Sequence, residues 1–444
     1  MKKIIALIAA FTMLLSATAC SQSSQSASTS GTANNASTDT QSSSNSTGNV
    51  ETIKIGWLAP LTGTAAENGQ QVTWAAEMIV DLVNQKRVDV DMLLAADAGL
   101  PNLNGAQIKL VKADTKGDTT VATSEAKRLI SEEGCVALTG QLTSSMTKAI
   151  AVVTEQYGIP LVTAGSAVSL TDGSLDYEWL IRYNLTDNTY IEDSYKLMDE
   201  VKKAGTDIKT VALLSEDSEF GANIYPVEIN FAKQYGYEVV ENMTYAANST
   251  SLTSEVLKLK QANPDVLMVA GYATDVILLI NTMKDADWFP KMLIGQRGGF
   301  VTADFFTALG DKTEYCFTTG GWSADLTGKS VIQSLIDIYP SHSKGIPFNE
   351  GMSKDAVDVL LICAAINQAG STQPAAVRDA MLNLNVDMSK VWMPWDSIKM
   401  DQYGQNLNAT GVIMQVQGGS YKTVYPPNCA TTNAIVPAKG WNDR

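Results

Sequence analysis

The chain has 444 residues, with 32 Lys and Arg against 47 Asp and Glu and a formal charge of −15. A balance that acidic argues against nucleic acid as a partner, because phosphate binding depends on clustered basic side chains. Nearly 400 residues lie beyond the polar N-terminal stretch described below, more than one compact core usually organises, and that predicts two lobes.

The N-terminus reads as an export signal. Lys2 and Lys3 precede the apolar run IIALIAAFTMLL, and SATAC brings small residues up to Cys20. The apolar run is too short to span a bilayer. A cysteine at that junction resembles a bacterial lipobox, in which Cys20 is acylated and becomes the first mature residue; Ala17 departs from the leucine usual there, and an ordinary secretory signal is the alternative. Losing Lys2 and Lys3 with the signal takes the formal charge from −15 to −17. Residues 21 to 49 are rich in Ser, Thr and Asn and carry only one charge, Asp39. Such a segment offers nothing to bury and is expected to act as a flexible tether, with a coil dimension of roughly 30 Å.

Beyond the tether, strands and helices alternate. TIKIGWL reads as a buried strand, and QVTWAAEMIVDLVNQ follows with Val72, Ala76, Ile79 and Val83 on one helical face. Residues 87 to 103 read as a surface insertion with a short helix and no assigned role. QIKLVKAD, TTVATSEAKRLISEEG, CVALTG, SSMTKAIAVVTEQYG and IPLVTAG repeat the strand and helix pattern. KTVALLSED with EFGANIYPVEINFAKQYG, and PDVLMVAGY with DVILLINTMKDADW, extend it. This alternation predicts an α/β fold of mainly parallel sheets flanked by helices, with ligands bound beyond the carboxyl ends of the strands. After Trp392, strands and loops are expected to close a second lobe.

The strand-end loops are therefore the candidate site. In TGQLTSS, Ser144 or Ser145 is placed to cap the next helix, where free N–H groups either bind an anion or are simply capped. TAGSA contributes the Ser166 hydroxyl and the backbone of Gly165 and Ala167. LMVAGYATDV and IGQRGGF each open from a buried strand into a glycine turn, and the second carries Arg297. Cys135 and Cys363 fit small core positions. Cys316 and Cys429 could form a disulfide outside the cytoplasm, although spacing alone does not establish one.

PLTG, GQLTSSMTKA, GIPLVTAGSA, SEDSEFG, the GY turn and KDAVDVLLICAAINQAG occur in an order and spacing that resemble the leucine/isoleucine/valine-binding family of periplasmic binding proteins, over nearly all of residues 52 to 425. The resemblance implies a two-lobed type I fold with three crossovers near 185, 320 and 395. Residues 51 to 185 and 320 to 395 would form one lobe, and 186 to 319 and 396 to 444 the other. It also implies a monomeric solute receptor that delivers its ligand to an ABC permease, is anchored by lipid outside the cytoplasm, and uses no cofactor or metal. In a host with two membranes, the outer membrane is a further address. The carboxylate site would involve Ser144, Gly165 and Ala167; Ala167 stands where the family has threonine, and Ser166 is the substitute donor. Asn68 replaces an aromatic residue over the ligand. Phe220 and Tyr272 match aromatic positions facing the cleft, where core or rim packing is the alternative.

Arg297 stands where amino-acid binders of the family have an acid for the ligand ammonium. A cation there would repel an ammonium and favour a carboxylate; if it faces solvent instead, Gln296 is the inward residue. Asp217 and Asp275 are the nearest candidates for a replacement acid, with helix capping as the alternative. One histidine, His342, and no G-x-S-x-G turn argue against a Ser-His-Asp hydrolase. DTKGD lacks the glutamate of a calcium loop and reads as a turn. No enzyme is expected; a ligand sensor reporting to a membrane receptor is the rival function.

Overall fold

A computed structural model describes residues 51 to 443 apart from 64 and 142; Cys20, the signal and the tether lie outside the described residues. The first sheet is assembled from β1 (Thr52–Ala59), β2 (Gln107–Asp114), β3 (Ala137–Thr139), β4 (Leu161–Val162) and β5 (Leu180–Ile181), in the order β2-β1-β3-β4-β5. All its pairings are parallel, and Ile55 faces Leu110 on one side and Ala137 on the other. Helices α1 (Ala66–Asn84), α2 (Thr119–Ser131) and α3 (Ser144–Tyr157) connect these strands.

The chain then passes through α4 (Asp187–Lys203), β6 (Thr210–Glu216), α5 (Glu219–Tyr235), β7 (Glu238–Tyr245), α6 (Thr253–Ala262), β8 (Val266–Ala270), α7 (Ala273–Asp285), β9 (Met292–Gly295), α8 (Ala303–Leu309) and β10 (Cys316–Gly320). Helices α9 (Ser330–His342), α10 (Glu350–Ala369) and α11 (Pro374–Leu382) follow, then the hairpin β11 (Val412–Gln417) and β12 (Ser420–Tyr425). The second sheet has the order β12-β11-β10-β9-β8-β6-β7, parallel except where β11 meets β10 and β12. Apolar runs such as VLMVA of β8 are buried along their whole length, as expected for strands covered on both faces.

Helix α10 lies among the core residues of the first sheet, with Ala356, Val359, Leu360 and Cys363 fully buried. The second sheet carries a core on each face, one with α4 and α5 and the other with α6, α7 and α8. No described helix is long and apolar enough to cross a membrane.

Three expectations are corrected. Residues 87 to 103 are more than a surface insertion, because Val90, Met92, Ala95 and Leu100 are buried in the first core; the expected short helix is the 3₁₀ turn Pro101–Leu103. Cys316 and Cys429 are not bridged, since Cys316 is buried in a core of the second sheet while Cys429 packs against the first. Helix α3 is capped by neither serine: Thr143 is the cap, its Oγ1 accepting from the Met146 N–H, and Ser144 and Ser145 are already inside the helix.

Gly69 allows α1 to pack against the end of β1, for a Cβ there would lie 2.0 Å from the Pro60 carbonyl oxygen. Gly69→Ala is expected to lower stability by about 1–3 kcal/mol, through backbone overpacking that helix propensity does not offset. Denaturant titration checks this as a lower midpoint at unchanged slope.

Candidate functional site

The loops after β3, β4, β6, β8 and β9 converge between the sheets. Thr143, Ser144, Ala164, Gly165 and Ser166 meet Phe220, Tyr272, Arg297 and Gly298 around a cavity of about 30 Å³, with Lys354 of α10 at its wall. That space holds about one or two waters, so the loops are in near contact. Lys148 of α3 and Glu219 of α5 also pair across the gap at 3.1 Å.

Arg297 is the central side chain and is only 3 % exposed. Its Nη2 donates to Asp187 Oδ1 at 2.7 Å and to Ser166 Oγ at 2.6 Å, while its guanidinium carbon stands 3.7 Å from the centroid of the Tyr190 ring. Nη1 has no partner. The backbone at Arg297 has φ 60° and ψ −121°, a region that favours glycine. Such strain costs on the order of 1–3 kcal/mol and persists only where the surroundings enforce it. They do so here: Gly299 N donates to the Gly271 carbonyl at 2.8 Å, and a Cβ on Gly298 would lie 2.4 Å from that same oxygen. The two glycine turns of the sequence thus lock together and aim the arginine into the cavity.

On the opposite side, Ser144 Oγ accepts from Ala167 N at 3.4 Å. The 165–167 loop is organised by Arg182, which is fully buried and donates through Nη1 to the carbonyls of Gly165, at 2.9 Å, and Ala167, at 2.8 Å. Its Nε donates to Gln405 at 2.6 Å, and burial lowers its pKa to about 10. Gly165 N is itself engaged, donating to Thr163 Oγ1.

Phe220 and Tyr272 both line the cavity, with ring centroids 5.5 Å apart. Asn68 lines a neighbouring chamber of about 40 Å³ with Tyr272, Gly298 and Lys354. Ser145 is half-buried outside the described lining. Gln296 points away from the cavity and is fully buried, its Oε1 accepting from Thr319 Oγ1 at 3.4 Å. Asp217 Oδ1 and Asp275 Oδ2 accept from the N–H groups of Ala247 and Asn248 in the loop after β7, and neither acid is in the described lining of the cavity.

The acid beside Arg297 is Asp187, which sequence reasoning missed together with Arg182 and Lys354. Asp187 follows a threonine that caps α4, so its position reads as an ordinary first-turn acid. Arg182 interrupts an apolar stretch, LIRYNL, and that was its one visible signal. The turn DTKGD is structural: Asp114 accepts from the backbone of Leu61, Thr62 and Lys116, and Asp118 caps α2. Among the described residues, no group of three His, Cys, Asp or Glu side chains is placed to hold a metal.

Residues 52–420 match the family model described as periplasmic binding protein, and the chain belongs to that family. It is a family of binding proteins, not enzymes, that work outside the cytoplasm. The Leu/Ile/Val-binding protein homolog 7 of Brucella abortus (strain 2308) is 26 % identical over 401 residues, covering 87 % of this chain and 94 % of its own. Homolog 8 of Brucella suis biovar 1 (strain 1330) is 27 % identical and covers 88 % and 94 %. The leucine binding protein LivK of Thermotoga maritima superposes with a TM-score of 0.71 at 18 % identity, over 85 % of this chain and 99 % of that one. The branched-chain amino acid transporter substrate binding protein LivJ of Streptococcus pneumoniae, in complex with isoleucine, gives 0.70 at 21 %, over 85 % and 100 %. The fold is therefore the two-lobed type I arrangement of that class.

Behind the cavity, Glu228 is fully buried and neither carboxylate oxygen has a hydrogen-bond partner. Burial pushes its pKa up to about 8, and the nearby Gln296 amide offsets this only in part. The folded state thus binds a proton that the unfolded chain releases near pH 4.5, so this carboxyl destabilises the fold progressively as pH rises from about 4.5 to 8. Glu228→Gln is expected to gain stability over the parent by several kcal/mol between pH 5 and pH 9, measured as the change in unfolding midpoint at the two pH values.

Proposed function

We propose that the chain is a lipid-anchored solute receptor of an ABC importer, capturing a small carboxylate-bearing or amino-acid-like solute by hinge closure between its lobes. The observation that carries the ligand class is Arg297, a buried cation with an unpartnered Nη1 at the cavity. Lys354 adds a second cation to the same wall in a protein of net charge −15. Ser144, with the 165–167 loop, holds one carboxylate in this reading, and Arg297 accepts a second acidic group or another acceptor with its planar fork. Phe220 and Tyr272 cover the ligand from the second lobe. The Streptococcus pneumoniae structure named above, a transporter substrate binding protein, supports the transport role over a sensor.

In this reading the chain crosses between lobes near 185, 320 and 395. Support comes from Trp322 and Trp395, buried in the first core just beyond β10 and before β11 of the second sheet. Cys20 and the tether of residues 21 to 49 hold the receptor near the membrane.

A thermal-shift screen of the mature chain against neutral amino acids, dicarboxylates and monocarboxylates tests the ligand class. A micromolar ligand at millimolar concentration adds about 4 kcal/mol of stability, and dicarboxylates are expected to be the strongest hits; a neutral α-amino acid as sole hit refutes the role given to Arg297. With a hit identified, Ser144→Ala is expected to weaken it by about 1–3 kcal/mol in calorimetry. Arg297→Glu should abolish acidic ligands, and indifference to that reversal would remove Arg297 from the site. Loss of uptake in cells lacking the cognate permease separates transport from sensing.

A further inference from the structure

A second, larger cavity of about 400 Å³ lies where β10, α8, the N-terminus of α10 and the β11–β12 hairpin meet. It shares no described lining residue with the cavity at Arg297, and only Val301 with the Asn68 chamber. Its size falls in the range of small-molecule sites, and its wall is largely apolar, with Val301, Phe306, Met414 and Tyr421. Phe306 and Tyr421 meet edge to face at 5.1 Å.

One carboxylate is buried in the wall of this apolar space. Glu350 is 3 % exposed and lines the cavity. Its Oε1 accepts from Gly321 N at 3.1 Å, while Oε2 has no partner. The neighbouring Asn349 Oδ1 is also buried and unpartnered. Three hydroxyl donors of the lining are committed elsewhere: Tyr421 donates to the Phe300 carbonyl at 2.6 Å, Ser323 to Asp325 at 2.6 Å, and Thr307 to the Ala303 carbonyl at 3.3 Å. Buried acceptors without donors are costly, and a buried carboxylate calls for a cation. An apolar chamber with aromatic walls and unmet acceptors is complementary to an apolar body carrying an ammonium group.

We propose that this cavity is a second ligand site, specific for a small apolar primary amine bound as its ammonium ion to Glu350. The site is independent of the carboxylate reading at Arg297. Gln at position 350 keeps an acceptor for Gly321 N and removes the charge. Thr307 is exposed at the rim, so a tryptophan there obstructs the chamber from outside the core.

The experiment is calorimetry of the mature full-length chain with 2-phenylethylamine, 2-phenylethanol and 3-phenylpropanoate. The amine is expected to bind at least tenfold more tightly than the alcohol, and the acid not to displace it. Glu350→Gln should bring amine and alcohol to equal affinity, and Thr307→Trp should abolish binding of both. Ser144→Ala should leave the amine untouched. Equal binding of amine and alcohol to the parent chain, no amine binding at millimolar concentration, amine binding that survives Thr307→Trp, or its loss in Ser144→Ala would each overturn the proposal. Should Glu350→Gln fail to fold, the rim variant decides.

Discussion

The guanidinium of Arg297 is the contact on which the cleft depends. It is a nearly fully buried cation on a strained residue, and in water-poor surroundings such a charge persists only when matched. Asp187, at the start of α4, supplies the counter-charge, and Ser166, in the loop after β4, a further acceptor. Ser166 also accepts the Asp187 N–H through its carbonyl at 2.9 Å. One serine thus fixes both the start of α4 and the tip of the arginine, coupling the β4 loop to the β9 turn. Removing any of the three would leave a buried charge or a buried acceptor unmet.

A second buried guanidinium works differently. Arg182 makes its hydrogen bonds to carbonyl and amide oxygens and a hydroxyl, so its charge is solvated by dipoles instead of an ion pair. Burial lowers its pKa, but only to about 10, and the group stays cationic under the 165–167 loop at neutral pH. The cleft therefore gathers three cations, Arg182, Arg297 and Lys354, against the one carboxylate of Asp187 that pairs with Arg297, in a protein of net charge −15. In the proposed receptor a field of that sign would select against ammonium groups by local repulsion, while net charge governs solubility.

Much of this arrangement was legible before any coordinates, and the limits have a physical pattern. Strands buried on both faces and helices with an apolar stripe announce themselves by period, so β1, α1, β8 and α7 were readable from their residues. The loops after β3, β4 and β9 were readable as well, because glycine, serine and threonine at a strand end mark a turn with exposed backbone groups. What the sequence could not supply was partner choice at long range. Arg297 meets Ser166 across 131 positions and Asp187 across 110, while Asp217 and Asp275, nearer to it in the chain, accept instead from Ala247 N and Asn248 N, 30 and 27 positions from each acid. The fully buried Arg182 was hidden for the same reason, since its bond to Gln405 spans 223 positions. A lone charge in an apolar strand signals burial, but not what it holds in place.

In the proposed receptor, hinge closure would be favoured by contacts that the protein makes with itself. Arg297 to Ser166 and Lys148 to Glu219 both cross the gap between the loops. The second pair is partly exposed, 43 % and 27 % at its side chains, and pairs of that kind contribute roughly 0–1 kcal/mol. The buried contact is the stronger, but any solute that takes over the Ser166 side of the cleft must displace it. A solute therefore shifts the open and closed populations only by what it gains beyond this internal bond. A ligand with an acidic group can replace the serine oxygen on Arg297 and keep the guanidinium matched, whereas a ligand ending in an ammonium would break the bond and return nothing to the arginine. In that reading the contact between Arg297 and Ser166 also discriminates between ligand classes.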